Sequence, residues 1–190
     1  MVSEGLQDQV VRYVSGEMPE AERDSFEVLL AWREDLQRAV DDAAQVVALA
    51  AFGGTGPTPS AGLRARLLDS LPRRANPSCA ESLVVTDAAG RVEWVNDAFV
   101  AMCGHSLAEL QGRKPGEVLQ GPATDRAAVE RIRGALRAGR SCRETLVNYH
   151  KDGTTYRADV RISPILNDDG QPLYFVARER KVEAPASLVN

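Results

Sequence analysis

Two polar stretches of the sequence have the residue types of a ligand-binding site. Residues 148–153, NYHKDG, place an amide, a phenol and an imidazole at the end of a predicted strand, and Asp152-Gly153 predicts a tight hairpin turn. Residues 112–125, GRKPGEVLQGPATD, form a glycine- and proline-rich loop that runs into a helix. A polar strand opposite such a loop predicts the two walls of a ligand pocket.

Residues that could make or break bonds are sparse. Cys79, Cys103 and Cys142 are odd in number and widely spaced, which argues against a disulfide framework and against a CxxC metal site. His105 is predicted in a loop and His150 at a strand end. The sequence contains no P-loop and no recognisable Ser/His/Asp arrangement. We therefore expect a protein that is not an enzyme.

Length and composition predict a soluble globular protein with one large domain or two small ones. The chain has 190 residues, of which 44% are hydrophobic and 26% are charged. No apolar run approaches the roughly 20 residues that span a bilayer, and the N-terminus lacks the pattern of a signal peptide. We expect a cytoplasmic protein without membrane contact.

Residues 1–52 hold eleven acidic and four basic side chains, which disfavours direct nucleic-acid binding and suits a basic protein partner.

Three short helices are predicted in residues 1–52, because apolar residues recur there at helical spacing. Gly16 predicts the end of the first helix and Pro19 the start of the second. The apolar positions are Leu6, Val10, Tyr13 and Val14, then Phe26, Leu29 and Leu30, then Leu36, Val40, Ala43, Val47 and Ala50. Three short helices with so few large apolar side chains form only a small core. We therefore expect this core to be completed by contact with a partner or a second copy. Residues 53–78 predict a Gly/Pro linker that carries a short amphipathic helix at 61–71.

The N-terminal pattern resembles bacterial anti-sigma domains. The resemblance covers residues 6–71 and rests on YVSGEMPEAERDSF at 13–26, an alanine-rich helix, the linker and LRARLLDSLP. It implies a head that binds an extracytoplasmic-function sigma factor. The positions of the usual zinc ligands hold Leu29, Arg33 and Leu36, so zinc is not expected.

Residues 79–182 predict a second domain, followed by a tail at 183–190. A hairpin spans 82–96, and Asp97, Ser106 and Thr124 or Asp125 are placed to cap three helices. Three strands follow at 141–150, 154–166 and 172–182. The order β-β-α-α-α-β-β-β predicts an α+β fold with a five-stranded antiparallel sheet and helices on one face.

This second domain resembles PAS domains, and within them the light-oxygen-voltage (LOV) subgroup that binds flavin mononucleotide. The motifs are DxxGRVEWVNDAF, GHSLAEL, LQGPATD and NYHKDGTTY. The resemblance implies FMN or FAD as cofactor. It also implies cofactor contacts from Gln120, Arg133 and Asn148, and from Glu179 at the position of the subgroup's last glutamine. Haem is not expected, since neither histidine falls on the long helix.

The sequence departs from the LOV pattern at several positions. The run GRKPGEVLQ is one residue longer than the subgroup's GRNCRFLQ and has no cysteine, which excludes the covalent photoadduct. Its arginine has become Glu117 or Gly116, its second asparagine Ala158, and Glu179 lacks the amide that both donates and accepts. A bound flavin would then work by photoreduction, with Trp94, Tyr149, Tyr156 or Tyr174 as electron donors.

Taken together, these patterns favour a homodimeric, cytosolic regulator of transcription: an anti-sigma head gated by a PAS sensor. Two alternatives stay open. One is a cysteine-less, flavin-binding blue-light sensor. The other is a ligand-free PAS module for dimerisation or scaffolding, whose core its own side chains fill.

Overall fold

The computed structural model describes residues 2–52 and 81–183. The predicted linker with its helix at 61–71, and most of the predicted tail, lie outside these residues. The helices are α1 Glu4–Ser15, α2 Glu20–Trp32, α3 Glu34–Phe52, α4 Asp97–Cys103, α5 Leu107–Leu110, α6 Pro115–Leu119 and α7 Arg126–Arg137. The strands are β1 Ser82–Asp87, β2 Val92–Val95, β3 Cys142–Tyr149, β4 Thr155–Leu166 and β5 Pro172–Lys181. Among the described helices, none has the length and apolar character needed to cross a membrane.

The five strands form one antiparallel sheet with the spatial order β2-β1-β5-β4-β3. Helices α4–α7 pack on one face of this sheet, which we call the inner face. The three N-terminal helices pack on the opposite, outer face. The predicted α+β fold with a five-stranded sheet is confirmed.

Local sequence patterns predicted the ends of most helices and strands to within a few residues, with two differences. Asn96 caps α4 in place of Asp97, because its side chain accepts hydrogen bonds from the amides of Phe99 at 3.0 Å and Leu83 at 2.9 Å. One asparagine therefore ties the helix start to β1. The loop at 112–125 also contains a helix that was not predicted, α6, with Pro115 in its first turn.

Two apolar clusters fill the inner face on either side of the sheet's centre. The first joins α4 to β1 and β2 and consists of Val84, Val92, Val95, Phe99, Met102, Cys103, Leu110 and Leu119. The second joins α7 to β3 and β4 and consists of Ala128, Val129, Leu146, Ala158 and Val160. Arg131 forms a bidentate ion pair with Glu144, with nitrogen–oxygen distances of 2.7 and 2.8 Å. This ion pair holds α7 against β3.

The N-terminal helices complete their core against the outer face of the sheet. The cluster contains Leu6, Val10, Met18, Phe26, Val28, Leu29, Leu30 and Leu36 from the head, and Leu83, Val85, Ile165 and Val176 from the sheet. The expectation that a partner or second copy completes this core is therefore wrong for these side chains. An amphipathic helix reveals that it needs an apolar neighbour but not which neighbour it meets.

Polar and aromatic contacts reinforce the docking of the head. The Trp32 and Trp94 rings stack with their centroids 6.1 Å apart and an interplanar angle of 4°. Three hydrogen bonds cross the same interface: Arg33 Nη1 to the Tyr174 hydroxyl at 2.7 Å, Gln9 Nε2 to the Leu166 carbonyl at 2.9 Å and Arg178 Nη2 to the Asp24 carbonyl at 3.0 Å. The head is thus held by directional contacts as well as by apolar burial.

We expect Leu29→Ala to lower the free energy of unfolding by about 3 kcal/mol, since a fully buried leucine leaves a cavity when truncated. Because this residue lies in the cluster that joins head and sheet, both should unfold in one transition. Urea titrations followed by tryptophan fluorescence and circular dichroism measure this. Val46→Ala is the matched control on the same head, because Val46 is 66% exposed and its loss should cost less than about 0.5 kcal/mol. A separate, earlier transition of the head alone would contradict the shared core.

Candidate functional site

A cavity of about 510 Å³ lies between the inner face of the sheet and helices α6 and α7. Its volume is in the range of small-molecule and cofactor sites. All four residues proposed as cofactor contacts line it: Gln120, Arg133, Asn148 and Glu179. The structure therefore brings them together, and their contact with a cofactor stays a prediction.

Most of the cavity wall is apolar. The sheet contributes Val84, Leu146, Val160, Ile162, Phe175 and Ala177, and the helices contribute Leu119, Val129, Ile132 and Leu136. Apolar side chains face each other across the space, from the sheet on one side and from α6 and α7 on the other. Such an arrangement suits a flat aromatic ring, which buries both of its faces.

The two stretches singled out in the sequence meet at this cavity. Thr124 Oγ1 donates to the Val147 carbonyl at 2.6 Å and accepts from the Gly121 amide at 3.0 Å, which ties the loop to β3. The Tyr149 ring packs directly on Gly121, where a β-carbon would come within 2.8 Å of the ring's Cζ atom. A glycine is required there because any side chain would displace the tyrosine.

Polar groups cluster on the sheet side of the cavity. Asn148 and Glu179 are both buried, and Glu179 Oε2 has no hydrogen-bond partner. Buried polar atoms are nearly always paired, so the free oxygen of Glu179 indicates a place where a ligand or water completes the hydrogen bonding. Behind the lining, the Tyr156 hydroxyl is also buried beside the Asn148 amide, and no well-aligned hydrogen bond joins the two.

Burial raises the pKa of Glu179 from 4.5 to about 7. The Glu179 carboxyl also raises the pKa of the Tyr156 hydroxyl, for which burial is the larger cause. An acid with a raised pKa is neutral over a wider pH range. The cavity thus contains a carboxyl group that changes charge near neutral pH.

Cationic side chains line the cavity beside the loop and α7. Arg133 is one of them, is 59% exposed and pairs with Glu130 at 2.6 Å. Lys114 and Arg126 were missed in the sequence, although they immediately precede α6 and open α7. Glu117 also lines the cavity, and its carboxylate would repel a nearby phosphate. The three cations outnumber this carboxylate, so an anionic group is favoured here.

These features fit a ligand with a flat heterocyclic ring and an anionic tail, the chemical form of FMN. The aliphatic walls match the ring and the buried amide and carboxyl match its polar edge. The cations match a phosphate.

Thiols, histidines and the proposed electron donors are not on the wall. Of the cysteines in the described ranges, neither Cys103 nor Cys142 lines the cavity, and burial raises the pKa of both thiols. The residues outside the lining also include His105, His150, Trp94, Tyr149, Tyr156 and Tyr174. Across residues 2–52 and 81–183, no group of three or more His, Cys, Asp or Glu side chains is placed to hold a metal ion.

The raised pKa of Glu179 predicts a pH-dependent stability difference between the wild type and Glu179→Gln. The folded protein holds this proton up to about pH 7, whereas the unfolded chain releases it near 4.5, so the wild type loses stability as pH rises between these values. At pH 8 the variant should be more stable by about 3 kcal/mol, and near pH 4 the two should be equal. Denaturant titrations across this range measure the difference, and a pH-independent difference would contradict the assignment.

Similar proteins include several blue-light receptors. Phototropin-2 of Oryza sativa subsp. japonica is 35% identical over 142 residues, which cover 68% of this chain and 16% of that protein. A blue-light-activated histidine kinase of Rhizobium johnstonii is 35% identical over 113 residues, which cover 54% of this chain and 32% of that protein. This chain therefore spans a third or less of the length of these relatives.

Solved structures with the same fold include LOV domains. The light-state structure of the blue-light photoreceptor Aureochrome1 LOV has a TM-score of 0.52 and 31% identity, covering 54% of this chain and 81% of that one. The LOV domain of a blue-light-activated histidine kinase from Erythrobacter litoralis has a TM-score of 0.51 and 32% identity, covering 54% of this chain and 96% of that one.

The anti-sigma function favoured in the sequence is therefore wrong. The relatives and structural neighbours named above include blue-light-activated kinases and LOV photoreceptors, and none of these is named as an anti-sigma protein. The physical reason lies in the head, where Phe26, Leu29 and Leu30 are buried against the sheet of the same chain. The motif at 13–26 describes how the first two helices are joined and capped, which many helical units share.

The sequence profile of the PAS domain family matches residues 80–179, just over half of the chain. The matched segment contains all five strands except the end of β5, together with α4–α7 and the whole lining of the cavity. By sequence profile, fold and cavity alike, this chain belongs to the PAS domain family.

Proposed function

We propose that this chain binds a flavin in the inner-face cavity and serves as a blue-light sensor that forms no covalent adduct. The observation that carries the proposal is the combination of aliphatic walls, a buried polar edge and cationic side chains in one cavity. The similarity to LOV photoreceptors supports flavin over other flat ligands with an anionic tail.

Each part of the cavity has a role in binding. The amides of Asn148 and Gln120 can donate and accept hydrogen bonds at the polar edge of the ring. Gln120 is packed over Gly116, where a β-carbon would lie 3.0 Å from its Cδ atom, so its side chain is restrained. Lys114, Arg126 and Arg133 provide the positive charge that FMN needs for its phosphate.

A bound flavin supplies absorption of blue light and the capacity to accept electrons. The walls in the described structure offer no thiol, and the raised pKa values of Cys103 and Cys142 keep both thiols protonated at neutral pH. The chain therefore responds through hydrogen bonds and charge. Electron donation by Trp94, Tyr149, Tyr156 or Tyr174 stays a prediction, as do a homodimer and a cytoplasmic location.

The cavity argues against the alternative of a ligand-free scaffold. A PAS core filled by its own side chains would leave little space between α6, α7 and the sheet, whereas about 510 Å³ is present. The two relatives extend well beyond the region they share with this chain, whereas the solved LOV domain of the Erythrobacter litoralis histidine kinase is covered almost completely by it. Sensing is therefore the proposed activity.

We expect the purified full chain to bind one flavin, seen as quenching of flavin fluorescence and as structured absorbance in the blue. Asn148→Leu should weaken binding at least about tenfold, since it removes a buried hydrogen-bonding group. Thr145→Leu is the matched control, because Thr145 is exposed on the same strand and does not line the cavity. A colourless chain that binds no added flavin would overturn the proposal.

The cations predict selectivity for a phosphate. Arg133→Ala should weaken FMN binding about fivefold, a modest effect because the side chain is largely exposed, and should leave riboflavin binding unchanged. Arg137→Ala is the control on the same helix, since Arg137 also lies near Glu130 but is not part of the lining. Isothermal titration with both flavins separates the outcomes. Equal losses for FMN and riboflavin would show that Arg133 acts on the fold rather than on the phosphate.

A further inference from the structure

Glu179 is a buried carboxyl group that faces the ligand cavity without a partner for one of its oxygens. It is 5% exposed, it lines the cavity, and its Oε2 atom accepts no hydrogen bond. Its backbone neighbours in the sheet are Ser82 on β1 and Val160 on β4, neither of which carries a charge. A buried carboxylate without compensation is costly, so the side chain needs either a proton or a partner.

The groups around Glu179 do not supply a compensating charge. Tyr156 on β4 and Cys103 at the end of α4 interact with it electrostatically, and the pKa of each is raised, so both are neutral at neutral pH. The charged side chains that line the same cavity are Lys114, Glu117, Arg126 and Arg133. Burial is the cause of the raised pKa of Glu179, with no offset from these charges. The neutral acid is therefore the form that this site favours.

A neutral carboxylic acid, like a carboxamide, has one hydrogen-bond donor group and one acceptor group. Its hydroxyl donates and its carbonyl accepts, as the NH₂ and carbonyl of a glutamine do, on a side chain of equal length. The expectation from the sequence, that a glutamate here lacks the donor–acceptor pair of an amide, is therefore correct only for the ionised form. In a buried site the carboxyl group keeps both its donor and its acceptor for as long as it keeps its proton.

We propose that Glu179 acts as a neutral acid that donates a hydrogen bond to an acceptor atom on the edge of the bound heterocycle, so that ligand binding is coupled to retention of the Glu179 proton. The inference rests on the proposed flavin site. It adds that Glu179 favours ligands with a hydrogen-bond acceptor on the edge of the ring that faces it. A ring that presents a carbonyl oxygen or an unprotonated nitrogen satisfies the hydroxyl. A ring that presents only N–H groups there leaves that hydroxyl without an acceptor.

Proton coupling gives binding a characteristic pH profile. Where Glu179 already holds its proton, affinity does not depend on pH. Above its titration range the carboxyl must take up a proton as the ligand binds, and affinity falls by a factor approaching ten for each pH unit. A glutamine at this position keeps its donor at every pH, so its affinity should stay constant.

The first test is independent of any ligand. Infrared spectra of the apoprotein at about pH 6 should show the C=O stretch of a protonated carboxylic acid, and this band should disappear in Glu179→Gln and persist in Glu144→Gln. Glu144 is the matched control because it faces the same side of the sheet, pairs with Arg131 and has a lowered pKa. Absence of the band from the wild type would overturn the inference.

The second test measures riboflavin affinity by fluorescence quenching between about pH 5.5 and pH 8.5. Riboflavin is the probe because a phosphate itself titrates near pH 6 and would obscure the profile. We expect the wild type and Glu144→Gln to lose affinity above about pH 7, and Glu179→Gln to remain flat and to match the wild type within about threefold at pH 6. A flat wild-type profile overturns this inference alone. No binding by any form at any pH overturns the proposed flavin site.

Discussion

The fold depends on burying both faces of a single sheet. Side chains of a strand alternate between the two faces, and β1 is buried along residues 82–86, so its neighbours must cover it on both sides. Helices α4–α7 cover the inner face, and the N-terminal helices cover the outer face with a cluster that includes Leu83 and Val85. Without the head, the apolar outer side chains of β1 and β5 would face water. The head is in this sense part of the PAS domain's core.

Strand β5 connects the two faces residue by residue. Tyr174, Val176 and Arg178 contact the head through a hydrogen bond to Arg33, the shared apolar cluster and a hydrogen bond to Asp24. The intervening residues Phe175, Ala177 and Glu179 line the cavity. A change in side-chain position on the cavity side therefore acts on the same backbone that carries the head. The two regions thus share the backbone of one strand, whose successive side chains point to opposite faces of the sheet.

Local patterns in the sequence predicted most of the fold, because helix periodicity, capping residues and Asp-Gly turns act over a few residues. Ser106 lies at the start of α5 as expected and forms a capping box with Glu109, and Gly16 ends α1 as expected. Contacts between distant segments were less accessible. Nothing in the spacing of Phe26 and Leu29 indicates that their neighbour is the sheet more than fifty residues later. The cations Lys114 and Arg126 were missed for the same reason, since only the folded loop brings them to the cavity.

The proposed chemistry of the site follows from the absence of a thiol in the described cavity wall and from the presence of Glu179. Within the described residues the cavity wall has no thiol that could form an adduct with a bound ring, so the proposed response depends on hydrogen bonds and charge. Glu179 differs from a glutamine by one group, a hydroxyl in place of an NH₂, yet this exchange makes the donor removable by a base. In an exposed position the carboxyl would be ionised at neutral pH and would act as an acceptor only. Burial on β5, opposite Ser82 and Val160, is what keeps it comparable to an amide. The same sheet packing that stabilises the fold therefore determines the protonation state of Glu179, on which the proposed recognition depends.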